Sequence, residues 1–488
     1  MNGSVNPLRA LTAGVALALC ACGGGGSGGS GGQNPPPPSD ANLQVVSAPS
    51  PFAAGCNGSP QTGTNFANAE VEPSVTVNPL NPSNVVGAWQ QDRWSNGGSQ
   101  GIVTAASFDG GHTWTRSSPP LSHCAGGSAA NGGDFDRATD PWLTAAPNGA
   151  IYLLGLSFSG GILAAGSSSA MIVVRSMDGG LTWGPLNVLI ADGAAVFNDK
   201  GSITADPTDA NFAYAVWDRI NAANSGPAYF ARTVNGGDSW ETAHSIYDPG
   251  AGNQTLGNLI LVLPTGVVIN IFNEIDSGAG GAVTNTIRLI RSADHGASWS
   301  APVTVSTLQS IGAFDPETGT PVRDGSDLFS ATADASGVLY ATWQDSRFSS
   351  GAHDGVALSR STDGGLTWSA PVRVNAQPAV AAFTPTVHVR SDGVIGVSYF
   401  DFRNNTASAA TLPTDYWLAT SSDGQTFTET HVTGPFDLDF APNADGLFLG
   451  DYQALASIGA EFRPFFVKST TAGVANRTDV FTAFGPEP

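Results

Sequence analysis

One short pattern, Ser-x-Asp-x-Gly-x-Thr/Ser-Trp, recurs along this chain and constrains its fold more than any other feature. Four copies fit it fully, at residues 107–114, 176–183, 292–299 and 361–368. A further copy at 233–240 has Asn at the Asp position, and a shortened copy at 421–427 ends in Phe. The Asp or Asn positions are 57 to 69 residues apart. Such a spacing is the period of a solenoid or propeller repeat.

The pattern is typical of a tight corner between two strands. Asp or Asn followed by Gly supplies the positive φ of the turn, and the Asp side chain accepts backbone N–H groups of that turn. The closing Trp then enters the next strand as a large apolar anchor. Each copy is therefore predicted to be a structural hairpin corner.

The repeated octapeptides resemble the Asp boxes of bacterial sialidases and related β-propellers. The resemblance implies an all-β fold in which each box joins the third and fourth strands of a propeller blade. It also implies that the boxes lie on the face away from an active site. The resemblance therefore favours a fold more strongly than an activity.

Strand-like runs indicate seven repeat units although the boxes number six. Each box is preceded by two such runs, and a seventh opening run, 452–456, follows the last box. This last unit lacks a fourth strand, and residues 43–46 are the natural donor. Strands from both chain ends would then close the ring and leave no open edge. We expect a seven-bladed propeller over residues 42–488; six blades with a C-terminal appendage are the alternative.

The N-terminal region reads as an export signal followed by a spacer. Arg9, an apolar run at 11–19 and then cysteine are typical of a bacterial signal peptide, predicted here as residues 1–22. Leu19-Cys20-Ala21-Cys22 resembles a lipobox, with Cys22 as the lipidated residue; ordinary signal cleavage is the alternative. Residues 23–41 are a Gly/Ser/Pro-rich tether. These features predict an outer-membrane lipoprotein of the cell envelope, facing the periplasm or the outside.

Charge and cysteine content limit the classes of partner and cofactor that this chain is expected to bind. Lys and Arg number 19 against 40 Asp and Glu, and the net charge of −21 argues against a nucleic-acid partner. The chain is expected to be a monomer. Two cysteines, Cys56 and Cys124, follow the export signal, and in an exported protein we expect them to form a disulfide. No zinc, phosphate-loop or dinucleotide motif is present in the sequence, so no cofactor is expected to be required.

Asp and Arg residues recur together just after the second strand of several units. As a functional set, the arginines would bind a substrate carboxylate; as a structural set, they would form ion pairs at the propeller face. Recurrence favours the structural alternative, because a catalytic residue is normally unique. The candidate substrate-binding arginines, including one from the loop before the second unit, are Arg93, Arg137, Arg219, Arg347 and Arg403.

Residues at the start of the opening strands differ from unit to unit, unlike the recurrent Asp and Arg pairs, and are therefore better candidates for catalysis. These positions, among them Glu72, Asp140 and Lys200, are expected to ring the mouth of the central channel. Carboxylates crowded around one Lys would shift the pKa of an acid catalyst or hold Ca²⁺, with Asp327 and Asp451 as candidate ligands. For Glu72 the alternative is a hydrogen bond between blades.

Sialidases use a Tyr nucleophile backed by Glu, an Asp acid/base and an arginine triad. By this resemblance Tyr452 would be the nucleophile, with a channel-lining aromatic as the alternative, and Glu274 its partner. The acid would be Asp134, Asp136 or Asp140. The Arg-Ile-Pro motif of the first sialidase blade is absent from the sequence, since Glu72-Pro73 stands there, and this departure weakens sialic acid as the substrate.

Three hypotheses for function follow from the sequence. The first is a glycan-active enzyme, a sialidase-like glycoside hydrolase whose partner is a glycan or polysaccharide. The second is a non-catalytic propeller that binds glycan or protein on the same face. The third is a polysaccharide lyase. A hydrolase needs two carboxyl groups facing one pocket, whereas a lyase needs a base and a cation that neutralises a uronate.

Overall fold

The computed structural model describes residues 40–485, which are almost entirely β-structure. The predicted signal peptide, Cys22 and most of the tether lie outside the described residues. No helix within 40–485 is long and apolar enough to cross a membrane. The helices described there are single 3₁₀ turns at Asp40–Asn42, His123–Ala125, Ala279–Gly281, Ser346–Ser349, Leu438–Phe440 and Gly473–Ala475.

Thirty strands form antiparallel sets of four within the described residues, named sheets 1 to 7, and one separate pair. The first strand is β1 (Leu43–Val45). Sheet 1 holds β2 (Glu70–Val77), β3 (Val85–Arg93), β4 (Ser99–Ser107) and β5 (Thr115–Ser117). Sheet 2 holds β6 (Arg137–Ala145), β7 (Ile151–Ser159), β8 (Ser168–Ser176) and β9 (Asn187–Gly193). Sheet 3 holds β10 (Val196–Ala205), β11 (Ala213–Asn221), β12 (Ala228–Thr233) and β13 (His244–Tyr247).

The remaining sheets follow the same order. Sheet 4 holds β14 (Gln254–Val262), β15 (Val268–Ser277), β16 (Val283–Ser292) and β17 (Val303–Leu308), and is followed by β18 (Val322–Arg323). Sheet 5 holds β19 (Phe329–Ala333), β20 (Leu339–Asp345), β21 (Gly355–Ser361) and β22 (Val372–Arg373). Sheet 6 holds β23 (Ala382–Val389), β24 (Ile395–Asp401), β25 (Pro413–Ser421) and β26 (Thr428–Asp437), and is followed by β27 (Leu447–Phe448). Sheet 7 holds β28 (Ala454–Ile458), β29 (Glu461–Ser469), β30 (Thr478–Ala483) and β1.

Two pairings join distant parts of the chain. In sheet 7, β1 pairs antiparallel with β30, with Leu43 opposite Ala483. The short strands β18 and β27 pair in parallel outside the sets of four. One β-bridge, between Ser99 and Ala138, connects the strands of sheets 1 and 2. The N-terminal strand therefore completes the last sheet, while β18 ties an inserted loop to the segment before sheet 7.

Each Asp box joins the third and fourth strands of sheets 1 to 6, as the sequence predicts. In the first box, Asp109 Oδ1 accepts the N–H of His112 at 3.0 Å and of Thr113 at 2.9 Å, while its Oδ2 accepts the Thr113 hydroxyl at 2.6 Å. The Ser107 hydroxyl donates to Asp109 Oδ1 and accepts the N–H of Gly111. The Thr113 hydrogen bonds, with further backbone donors, hold the pKa of Asp109 below its usual range despite a small effect of burial.

The box tryptophans pack against the preceding sheet. The Trp240 ring meets Tyr152 of sheet 2, and the Trp299 ring meets Phe230 of sheet 3. The indole N–H of Trp183 donates to Thr104 of sheet 1 at 3.0 Å. A box therefore links its own sheet to the previous one through a large apolar side chain.

An arginine just before a box reaches forward to the next box. The Arg175 guanidinium donates to the Gly236 carbonyl and to Asp238 at 2.8 Å. Arg232 donates to the His295 carbonyl at 2.5 Å, and Arg360 donates to the Asp423 carbonyl at 2.9 Å. These contacts, named here the box clasps, connect sheets 2 to 3, 3 to 4 and 5 to 6.

Candidate functional site

Four residues with a left-handed backbone conformation interrupt the first strands of sheets 1, 2, 3 and 6 at equivalent positions. Glu72, Asp140, Lys200 and Thr384 have φ of 54°, 52°, 43° and 50°, and each lies where the strand register shifts by a bulge. A non-glycine residue in this region costs about 1–2 kcal/mol. Three of the four carry charged side chains, so the bulges turn charge toward a common point.

The charged side chains meet in a buried group, named here the axial cluster, made of Glu72, Asp140, Lys200, Arg323 and Asp451. Lys200 Nζ lies 2.5 Å from Asp451 Oδ2, 3.5 Å from Glu72 Oε1 and 3.7 Å from Asp140 Oδ1. Arg323 binds Asp451 through both ends of its guanidinium, at 2.9 Å and 2.6 Å. The cluster thus connects sheets 1, 2 and 3 with the loop before sheet 5 and the segment before sheet 7.

The carboxyl groups of the cluster have pKa values pushed in opposite directions. Burial, reinforced by Asp140 and Asp451, raises the pKa of Glu72 well above its ordinary value although Lys200 opposes it. Burial also acts to raise the pKa of Asp140, but Lys200 and a hydrogen bond with Glu72 outweigh it, and the pKa is lowered. Glu72 therefore holds a proton toward an ionised Asp140.

The two cations reinforce this arrangement around Asp451. Burial alone would raise the pKa of Asp451, but Arg323 and Lys200 hold it well below its usual range. Burial would lower the pKa of Lys200, and the surrounding carboxylates instead raise it. Lys200 therefore remains charged and is unsuited to act as a base at neutral pH.

A cavity of about 320 Å³ opens beside the cluster on the side opposite the boxes, and is named here the loop-face cavity. Asp140, Lys200 and Arg323 contribute to its lining, as do Arg93 and Arg137. The protein has a strongly negative net charge, yet four of its cationic side chains meet here. Such concentration favours a ligand that interacts with both cations and carboxylates.

Asp199 also lines the loop-face cavity. Burial raises the pKa of Asp199 to about 7, because Asp140 and Asp451 add to the effect while Lys200 opposes it. The N–H of Lys200 donates to Asp199 Oδ1 at 3.0 Å. Of the carboxyl groups that line the cavity, Asp199 therefore keeps its proton up to about pH 7, whereas Asp140 is ionised.

Tyr452 and Glu274, predicted as a catalytic pair, are not brought together. The Tyr452 hydroxyl donates to the Pro141 carbonyl at 3.4 Å, and its ring meets the Trp142 ring edge-on. Burial raises the pKa of Tyr452 well above 10, and the carboxylates of the cluster add to that rise. Glu274, in sheet 4, instead accepts from the Tyr247 hydroxyl of sheet 3 at 2.5 Å. The two side chains therefore belong to separate hydrogen-bond networks, and a catalytic role for either one stays a prediction.

Asp136 and Arg137 flank the loop-face cavity but are held by the segment around Cys56. Asp136 Oδ2 accepts the Ser59 hydroxyl at 2.7 Å. Arg137 donates to Gln61, Asn96 and the carbonyls of Thr62 and Gly97, and lies over the Trp94 ring at 4.5 Å. The structure joins Cys56 to Cys124 in a disulfide, which fixes this segment. Arg137 therefore shapes the cavity wall with most of its donors engaged.

Three of the predicted substrate-binding arginines form ion pairs, Arg219 with a carboxylate of the neighbouring sheet 2 and the other two with carboxylates of their own sheets. Arg219 binds Asp192 at 2.6 Å, Arg347 binds Asp345 at 2.7 Å, and Arg403 binds Asp401 at 2.7 Å. None of the three lines the loop-face cavity. Each guanidinium is bound to a carboxylate and lies over an aromatic ring, as the structural alternative predicts. Arg93 does line the cavity and donates to Gln90.

The candidate calcium ligands lie in different settings. Both carboxylate oxygens of Asp451 contact cationic side chains, and the backbone carbonyl of Asp327 accepts from Asn273. Within residues 40–485, no group of three or more His, Cys, Asp or Glu side chains is arranged to hold a metal ion. A structural Ca²⁺ site stays a prediction.

Arg323 and Asp199 were not among the site residues predicted from the sequence. Arg323 lies in β18, stacks on Phe448 of β27 at 4.3 Å, and reaches Asp451 from there. The arginines that recur in the sequence follow the second strands of the units, whereas Arg323 precedes the first strand of sheet 5. The charged run Arg323-Asp324 before that strand was the available signal.

A family model described as a BNR repeat-like domain matches residues 228–444. That stretch carries the boxes of sheets 3 to 6, so the resemblance to Asp-box repeat proteins is confirmed. Among individual proteins, a xyloglucanase from a Paenibacillus species is 28% identical over a 300-residue alignment that covers 55% of this chain. The chain spans about a quarter (26%) of that enzyme's length.

Two solved structures are similar in fold. An ulvan lyase, a polysaccharide lyase, has a TM-score of 0.50 at 13% identity, with 85% of this chain and 94% of that chain covered. The Penicillium chrysogenum α-L-arabinanase complexed with arabinobiose has a TM-score of 0.47 at 12% identity, with 92% and 99% covered. At these identities the likeness concerns the fold alone.

Proposed function

We propose that the chain is a glycoside hydrolase of the cell envelope that cleaves a glycan in the loop-face cavity, with Asp199 as the acid and Asp140 as the ionised partner. The observation that carries this proposal is the pair of carboxyl groups that line one cavity with pKa values shifted apart. Groups tuned in this way divide acid and anion roles at a single pH. The named xyloglucanase relative supports a glycan as the substrate.

The chemistry assigns one task to each side chain. Asp199 gives its proton to the glycosidic oxygen as the bond to the anomeric carbon breaks, which releases a neutral leaving group. Asp140 supplies negative charge to the positive character that develops on the sugar ring. Water then completes hydrolysis at the anomeric carbon, and Asp199 regains a proton. Lys200 keeps Asp140 ionised and Glu72 donates a hydrogen bond to it, so both are positioning residues.

We also propose how the seven sheets are arranged and how the protein is attached to the membrane. Sheets 1 to 7 are the blades of one closed ring, since β2 packs against β28, β29 and β30, and Trp114 of the first box meets Phe465 of sheet 7. Cys22 carries the lipid, and residues 23–41 hold a monomeric propeller off the outer membrane. Mass spectrometry of the purified protein tests the lipid, because cleavage without lipid leaves an unmodified N-terminus.

A polysaccharide lyase is the second candidate. Arg93, Arg137, Lys200 and Arg323 line the cavity and would neutralise a uronate carboxylate. The fold similarity to an ulvan lyase agrees with this alternative. A lyase leaves an unsaturated sugar that a hydrolase does not, so the two reactions are separable by their products.

The test is incubation of the purified protein with sialosides, neutral aryl glycosides, xyloglucan, arabinan and uronate polysaccharides. Reducing ends without ultraviolet absorbance of an unsaturated sugar support hydrolysis; absorbance supports the lyase. Asp199→Asn and Asp140→Asn should each lower kcat by about 100-fold or more. The exposed turn variant Asp248→Asn is the control and should retain full activity.

The pH dependence gives an independent check. Asp199 must be protonated to act, and its pKa is about 7. Activity should therefore fall as the pH rises above about 7. Activity that rises steadily to pH 9, or full activity in Asp199→Asn, contradicts the assignment. A folded protein that is silent across the whole panel makes a non-catalytic glycan- or protein-binding propeller the better conclusion.

A further inference from the structure

A second concavity, named here the side groove, lies between residues 49–61 and the edge of sheet 1. Its volume is about 780 Å³, and it is lined among others by Phe52, Ala54, Asn65, Trp94 and Gln100. The segment that forms its outer wall is fixed to the molecule by the disulfide at Cys56. The groove is therefore a built feature and is separate from the candidate catalytic residues.

The side groove adjoins the loop-face cavity. Ser59, Pro60 and Gln61 line both, so these three residues form a ridge between the two concavities. The Ser59 hydroxyl is held by Asp136, which fixes the ridge against sheet 2. Arg137 of the cavity lies over Trp94 of the groove at 4.5 Å. A chain-like ligand that leaves the cavity across this ridge would enter the groove directly.

The chemistry of the groove differs from that of the cavity. Among the described residues that line it, Asp92 alone has a charged side chain. The Asp92 carboxylate is already bound by the Ser50 hydroxyl at 2.5 Å and the N–H of Asn68 at 2.8 Å, and burial raises its pKa. The cavity, in contrast, presents four cations. A charged polymer segment would find no counter-charge in the groove.

Amide and aromatic side chains dominate the groove lining. Gln61, Asn65 and Gln100 contribute amides, and Phe52 and Trp94 contribute rings. Each amide also makes a hydrogen bond within the protein, Gln61 from Arg137, Asn65 to the Asp92 carbonyl and Gln100 to Asn65. Trp94 is 9% exposed, and its indole N–H has no hydrogen-bond partner within residues 40–485. Amides and hydroxyls match the hydroxyl groups of uncharged sugars, while aromatic rings pack on the apolar faces of sugar rings.

We propose that the side groove binds the uncharged continuation of a polysaccharide whose reacting sugar occupies the loop-face cavity. The proposal rests on the proposed function and defines its substrate as a polymer rather than a short glycoside. It also assigns a role to the disulfide-fixed segment, which forms both the ridge and the outer wall of the groove. Sugar units beyond the reaction site would then contribute binding free energy through the groove.

The experiment uses affinity electrophoresis of the full chain in gels that contain xyloglucan, arabinan or polygalacturonate. Ala54→Trp fills the groove, whereas Ala53→Trp places the same ring on a neighbouring exposed residue that does not line it. We expect retardation by xyloglucan or arabinan, a Kd about tenfold higher for Ala54→Trp, and an unchanged Kd for Ala53→Trp. Equal Kd values for the two variants, or retardation by polygalacturonate alone, overturn the proposal.

The two proposals fail in different ways. Asp199→Asn should abolish turnover but leave retardation by the neutral polymers intact. Retardation that depends on Ala54, in a protein that turns over no substrate, supports the groove and rejects the hydrolase. Turnover that is lost in Asp199→Asn, together with retardation that is indifferent to Ala54→Trp, supports the hydrolase and rejects the groove.

Discussion

Replacing Lys200 with Met should destabilise the protein far more than replacing its other lysine, Lys468. Lys200 Nζ faces Glu72, Asp140 and Asp451 with a side chain that is 13% exposed. Removing one partner of a buried ion cluster leaves buried charge uncompensated and costs about 3–5 kcal/mol. The Lys468 side chain is also only 11% exposed, but its one carboxylate partner, Asp40, lies 3.0 Å away and is 64% exposed, so removing Lys468 leaves no carboxylate buried without a partner. A pair of that kind contributes about 0–1 kcal/mol.

The destabilisation should depend on pH. Asp140 and Asp451 have lowered pKa values, so the stability they contribute is present above their unfolded pKa and is lost as the pH falls. The raised pKa of Lys200 means that its contribution is present below its unfolded pKa and is lost only above it. The full effect of Lys200→Met is therefore expected between about pH 5 and pH 10.

Thermal and urea unfolding at pH 4 and pH 8 measure this effect. For a folded chain of roughly 450 residues, 4 kcal/mol corresponds to about 4 °C in Tm. We expect a loss of that size for Lys200→Met at pH 8, a smaller loss at pH 4, and about 1 °C or less for the control Lys468→Met. Equal losses in the two variants, or a loss that does not change with pH, would refute the view that Lys200 neutralises the cluster.

Three further predictions follow. Burial raises the pKa of Glu72 well above its ordinary value, so its contribution to stability is present below pH ~4.5 and should fall by about 1.4 kcal/mol per pH unit as the pH rises from there toward the folded-state pKa. In urea unfolding, the stability of Glu72→Gln should therefore fall less steeply with pH than that of the wild type; parallel profiles would contradict the buried proton. Removing the disulfide with Cys56→Ser and Cys124→Ser opens a link between residues 68 apart, and should cost about 4 kcal/mol in the chain-entropy model; a loss below about 1 kcal/mol would show that the segment is held by other contacts. Arg232→Met breaks a box clasp and should cost about 1–3 kcal/mol, against about 0.5 kcal/mol or less for exposed Arg373→Met; equal Tm values would show that the clasps do not support the sheets.

The Asp boxes were predictable because their interactions are local. Ser107, Asp109 and Thr113 satisfy one another within a single turn, so the spacing of residue types defines the corner. The position of each box between third and fourth strands followed from the order of the strand-like runs. The N-terminal strand was also deducible, since the seventh unit lacked one strand and residues 43–46 had no other partner in the repeat pattern.

The partners of the charged residues were much less predictable. Arg219 and Arg323 both lie near the ends of short apolar runs, yet the first binds Asp192 of the neighbouring sheet and the second binds Asp451 of the axial cluster. Strand register and backbone hand decide between these outcomes. The backbone of Lys200 is left-handed, and its side chain lies in the axial cluster. Glycine is the residue type that marks such a conformation in a sequence, and a lysine does not.

The pairing of β1 with β30 determines when sheet 7 can be completed during synthesis and folding. Leu43 and Ala483 lie opposite each other although 440 residues separate them in sequence. A contact this distant is among the slowest to form, because the intervening chain must be ordered first. During synthesis the earliest strand remains without a partner until the last one emerges. Loss of β30 would therefore leave β1, at the beginning of the fold, without its strand partner.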